Sequence, residues 1–119
     1  MINDALRDIR RLYEEKQFDR ALSTIELYVG STDTPTEILI LKGRLIQLSE
    51  SGRYSIDEAE KCFLDVLERD KNNISALIEM GWLNSNVKGD VDSGKRYFLS
   101  ALGICEDLTE EIQRGLLED

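Results

Sequence analysis

Residues 89–96, Gly-Asp-Val-Asp-Ser-Gly-Lys-Arg, come nearest in this chain to a phosphate-binding loop. Gly89, four residues, Gly94 and Lys95 match the spacing in which backbone N–H groups cradle a polyphosphate, but Arg96 stands where a Ser or Thr must reach the magnesium ion. The stretch also follows a predicted helix rather than a strand, and the match is rejected. The adjacent carboxylates Glu14-Glu15, Asp57-Glu58 and Glu110-Glu111 diverge on a helix, so neither member can work on the same substrate as the other. No window alternates oxygen donors with a distal glutamate as a calcium loop does. The absence of histidine removes imidazole acid–base catalysis, Ser-His and Cys-His nucleophile pairs and histidine metal sites. Cys62 and Cys105 fall on apolar faces of different predicted helices and are expected to be small buried side chains, not a disulfide or a ligand pair. The expectation is a chain with no catalytic residues, no metal and no cofactor.

The elements that position these residues are helices throughout. Pro35–Leu48 is the central one, apolar on nearly every side and so expected to be surrounded by other helices. Pro35 suits its first position, Thr34 or Asp33 can accept from its free N–H groups, and Glu37 stands three residues after Thr34 in capping-box spacing. Gly43 in its interior costs about 1 kcal/mol relative to alanine, which marks close approach by a neighbouring helix.

Before it, residues 3 to 15 carry Ala5, Leu6, Ile9, Leu12 and Tyr13 at helical spacing and end near Lys16-Gln17. Phe18 then opens a helix with Ala21, Leu22, Ile25, Tyr28 and Val29 on one face, stopped by Gly30-Ser31-Thr32-Asp33. After it, Ser55 with Glu58 caps a helix bearing Ala59, Cys62, Phe63, Val66 and Leu67, which ends at Asp70-Lys71-Asn72-Asn73. Asn73 caps a fifth helix that runs out at Asn84-Ser85-Asn86, and Asp90 a sixth that reaches Cys105. A separate short acidic helix is expected from Leu108 to about Leu117. No segment alternates with period two, and no sheet is predicted.

Length and composition bound the rest. At 119 residues the chain reads as one domain, and 41% hydrophobic with 33% charged residues describes a soluble, ordered, helix-rich protein. The acidic N-terminal turns lack an apolar signal region and the longest apolar run, Ile38–Leu41, is far too short to span a bilayer, so a cytoplasmic location is expected. A net charge of −9 argues against nucleic acid and anionic membranes and favours either a partner with a basic surface or simple solubility.

Gly43 and Gly81 recur 38 residues apart, as do Ile25 and Phe63, and Ala21 and Ala59; Phe63 and Phe98 are 35 apart. With Leu77, Met80-Gly81, Gly94, Phe98 and Ala101 falling in order, the chain resembles the tetratricopeptide repeat family. Lys42 stands where the pattern has leucine before Gly43, Ile9 where the first unit should have glycine, and Pro35 is displaced. The resemblance implies an all-α superhelix of three helical hairpins, residues 3–33, 35–71 and 73–106, with a capping helix at 107–118.

It also implies a concave surface on the first helix of each hairpin, carrying Leu6, Arg10, Tyr13, Ile40, Arg44, Gln47, Leu48, Ile78, Trp82 and Ser85. Lysine and asparagine, which grip a C-terminal carboxylate in one subclass, are missing from these positions. Arg10 and Arg44 can hold a carboxylate bidentately or pair with acids such as Glu14 and Glu37. Trp82, the sole tryptophan, is either a recognition anchor or a core residue packed against the terminal helix. The function implied is non-catalytic protein binding, as an adaptor or co-chaperone holding a peptide or partner element. An alternative is a small acidic immunity protein that neutralises a basic toxin. Self-association is a further expectation, because a three-unit stack leaves an outer face uncovered.

Overall fold

The computed structural model describes residues 2–27 and 34–117, and every regular element in them is helical. They are α1 (Ile2–Glu14), α2 (Phe18–Glu26), α3 (Thr36–Leu48), α4 (Ile56–Arg69), α5 (Ile74–Trp82), a π-helical turn (Leu83–Val87) and α6 (Val91–Leu117). The expectations for Tyr28, Val29 and the Gly30–Asp33 stop lie outside the described residues. Two compact units divide the chain, Met1–Val66 and Leu67–Asp119.

In the first unit, α1 ends in a Schellman motif: the Gln17 N–H donates to the Leu12 carbonyl at 2.8 Å and the Lys16 N–H to that of Tyr13 at 3.0 Å. Lys16 takes the left-handed conformation this closure needs, with φ at 60°. The turn folds α2 back on α1, and Ile9, Leu12, Ala21, Leu22 and Ile25 meet Ile38, Leu41, Leu45 and Ile46 of α3 in one apolar core that also takes in Ala59 and Cys62 of α4. α3 is accordingly apolar on several sides, with Ile38 and Leu45 fully buried.

Its start lies one residue later than the spacing predicts. Pro35 is the N-cap, with ψ at 143° and no side-chain cap, and its carbonyl accepts from the Ile38 and Leu39 N–H groups at 3.1 and 3.2 Å. Glu37 turns instead to Arg10, 3.3 Å away. Two loop clips hold α2 from either end. The Ser49 hydroxyl donates to Asp19, while Arg53 donates to both Glu26 carboxylate oxygens at 2.9 and 3.2 Å and the Tyr54 hydroxyl donates to Glu26 as well.

In the second unit the expected caps are present. The Asn73 side-chain oxygen accepts from the Ala76 N–H at 2.9 Å, and the Asp90 carboxylate accepts from the Ser93 N–H at 3.1 Å and its hydroxyl at 2.7 Å. These Ser93 bonds hold the Asp90 carboxyl below its ordinary pKa. After Trp82 the helix widens, the Lys88 N–H donating five residues back to Leu83 at 3.0 Å and the buried Asn84 amide to Met80 at 2.8 Å.

The break expected before Leu108 does not occur: α6 runs unbroken for 27 residues. Residues 106 and 107 are glutamate and aspartate, which weaken a helix only slightly, and no glycine or proline stands there to end it. Gly103 and Gly115 lie within α6 with nothing within 4 Å of an added Cβ. Gly103→Ala should therefore gain about 0.5–1 kcal/mol, the difference in helix propensity, read as a raised urea midpoint; a lowered midpoint would mean that α6 is not a regular helix there.

Candidate protein-binding surface

The second unit holds two exposed apolar residues among the sequence-derived binding candidates. Ile78 and Trp82 are one helical turn apart on α5, both exposed, and the Trp82 indole is 53% accessible. Its ring meets Phe98 of α6 edge-on, with centroids 5.0 Å apart at 74°. That contact fixes the orientation of the indole while leaving much of it open to solvent. Ser85, one turn on, is half-buried and packs over Gly94, where an added Cβ would also meet the Gly81 carbonyl oxygen at 2.8 Å. It is used in the contact between the π-helical turn and α6.

In the first unit the candidates divide differently. Ile40 is only 8% exposed, because α3 is covered on several sides; it offers almost no surface and is withdrawn as a recognition residue. Leu6 and Tyr13 are half-buried against the apolar core, and Tyr13 meets the Phe18 ring edge-on at 5.8 Å. Gln47 is half-buried and donates to the Gly43 carbonyl at 3.4 Å. Arg44 is half-buried and Leu48 exposed. Arg10 is exposed and pairs with Glu37, one of the two fates its sequence position allows. A shallow depression joins Leu6, Arg7, Arg10, Arg11, Glu14 and Glu37. Its positive charge is partly balanced by the Arg10–Glu37 pair and by Arg11–Glu15 at 3.5 Å.

The two cysteines separate. Cys62 is buried as expected, and burial pushes its thiol up from its ordinary pKa, with Lys42 opposing in part. Cys105 is exposed, against expectation, since among the described residues no element covers the apolar face of α6 at that point. In the native protein a maleimide near neutral pH should therefore modify Cys105 quickly and Cys62 only on unfolding. Equal rates by mass spectrometry would show that Cys62 is accessible.

No group of three or more His, Cys, Asp or Glu side chains is arranged to hold a metal ion among the described residues, and none of their helices is long and apolar enough to cross a membrane. Compared with protein-family models, curated proteins and solved structures, the chain matches none. The surface has to be read from its own geometry.

The sequence did not signal the exposed apolar face on the second half of α6. Its periodicity was visible, but the same periodicity describes a buried face.

Proposed function

We propose that this chain is a non-catalytic protein-binding module of tetratricopeptide-like hairpins, an adaptor that takes a peptide or a partner's element on the face carrying Ile78 and Trp82. One observation carries the reading: a tryptophan half open to solvent, its ring held edge-on by Phe98. Large aromatic side chains fixed before binding lose little entropy on association, and tryptophan is among the commonest binding hot spots. The hairpin reading draws support from a recurrent contact. Gly43 lies against the Phe63 ring and Gly81 against the Phe98 ring, each so closely that a Cβ would fall 2.5–2.7 Å from ring carbons.

The test begins with peptides selected from a display library on the wild-type protein. Trp82→Ala should weaken them by about 2 kcal/mol, roughly thirtyfold. Folding stability should fall less, by about 1 kcal/mol for the lost aromatic pair. Arg44→Ala serves as a companion in the first unit. Peptides that bind equally well to a folded Trp82→Ala, Arg44→Ala double variant would place recognition elsewhere.

A further inference from the structure

Ser93, Arg96, Tyr97 and Ser100 follow one another on α6 at intervals of three, one and three residues, which places them on one face of the helix over about 10 Å. Together with the buried Leu77 of α5 they line a recess of about 260 Å³. Trp82 is five residues from Leu77, about 140° round α5, so the recess is separate from the Ile78–Trp82 face.

Its polar groups are donors. Arg96 presents a planar fork of N–H groups, and Tyr97 and Ser100 each present a hydroxyl. None of these three side chains hydrogen-bonds or ion-pairs among the described residues. Elsewhere, helical hydroxyls turn back on their own backbone: Thr24 donates to the Arg20 carbonyl at 3.0 Å and Thr109 to that of Cys105 at 2.8 Å. Ser100 does not. Ser93 is already committed, its hydroxyl and N–H going to Asp90 at 2.7 and 3.1 Å. Arg96 helps to keep Asp90 ionised but forms no ion pair with it, and its N–H groups stay available. Acids outnumber bases in this chain by 24 to 15, yet among the described residues no carboxylate lines this recess. Two depressions on the first unit differ in this respect, with Asp8 and Asp19 in one and Glu14 and Glu37 in the other.

We infer that the recess between Leu77 and the Ser93–Ser100 face of α6 is a binding site for a small oxyanion, a carboxylate or phosphate monoester carried on a short apolar stem. The Arg96 fork matches two oxygens of such a group, and charge-assisted hydrogen bonds of this kind are about twice as strong as neutral ones. The Tyr97 and Ser100 hydroxyls can donate to the remaining lone pairs. Leu77 and the Tyr97 ring give the stem an apolar wall. Size limits the ligand: drug-sized molecules fill about 300–1,000 Å³, so this site takes one acidic group with its first few carbons and not a nucleotide.

Titration of the full chain with benzoate, phenyl phosphate and benzyl alcohol, followed by heteronuclear NMR, tests the inference. Benzoate or phenyl phosphate should shift the amide signals of Ser93, Arg96, Tyr97 and Ser100 to saturation, and benzyl alcohol at the same concentration should not. The tighter of the two acids identifies carboxylate or phosphate as the group held. Arg96→Gln should weaken that acid at least about tenfold and Ser100→Ala about threefold, as expected for a charged and a hydroxyl donor. Both variants should unfold at the wild-type temperature, since neither side chain is bonded within the protein. Lys95→Gln, on the opposite flank of α6, should leave the affinity unchanged. Equal losses in Lys95→Gln and Arg96→Gln would reduce the effect to bulk charge and overturn the proposal. Shifts that never saturate, or that benzyl alcohol reproduces, would overturn it too.

Discussion

Phe63→Ala is expected to remove about 3–5 kcal/mol of folding stability, the range for deleting a buried aromatic ring. Phe63 is fully buried on α4, and its Cε1 and Cζ lie 2.5 Å from where a Cβ on Gly43 would stand. The ring thus fills the space that the missing side chain leaves on α3. The same geometry predicts the reverse substitution. Gly43→Ala would gain about 1 kcal/mol of helix propensity in an open position, but a buried ring cannot withdraw, and overpacking of this kind costs about 1–3 kcal/mol. Because both changes act on one contact, they should not add. In a Phe63→Leu background, where the clashing ring is gone, Gly43→Ala should cost less than it does alone. Urea unfolding of the four proteins measures this, and strict additivity would show that the glycine and the ring do not share that space.

Gly81→Leu should destabilise toward the upper end of about 1–3 kcal/mol. An added Cβ there would meet Phe98 Cε1 and Cζ at 2.7 Å. Phe98 is only half-buried and has more room to turn than Phe63, yet turning it breaks its edge contact with Trp82. The substitution therefore has a second readout. Trp82 is the only tryptophan, so its emission should shift in the folded variant as its environment changes. A Gly81→Leu protein with both the urea midpoint and the emission maximum of wild type would refute the close α5–α6 contact. The contrast with Gly103→Ala, expected to stabilise, separates contact from propensity: the same residue type is obligatory where a ring crosses it and dispensable where nothing does.

Chemistry that reaches only a few residues along the chain was legible before folding. Asn73 and Asp90 cap the helices they precede because each needs only a carboxyl or amide oxygen within reach of an N–H three residues on. Ser55 likewise accepts from the Glu58 N–H at 3.3 Å. Helical spacing identified Ala21, Leu22, Ile25, Ala59, Cys62, Phe63 and Val66 as apolar-face residues, and all of them are buried. The glycines at 43 and 81 marked close helix contacts because a helix interior tolerates glycine at a cost that packing has to offset.

Tertiary structure decided what local pattern cannot encode, namely which face has a neighbour. Ile40, three residues before Gly43, and Trp82, one residue after Gly81, were both assigned to an open surface. α3 is enclosed on several sides and buries Ile40, whereas Trp82 retains about half of its surface in solvent. Cys62 and Cys105 have the same local character, yet only the first is covered. Glu37 has the spacing of a capping box but takes Arg10 of α1 as its partner, a choice that depends on a residue 27 positions away. The sequence by itself determined that this protein is helical, where most of its helices start and which stripes on them are apolar, because propensity, capping and periodicity act over one or two turns. Which stripes are buried, and that the stripe on α6 continues past its cover, depended on the three-dimensional arrangement, because burial is a property of two surfaces and a stripe specifies only one of them.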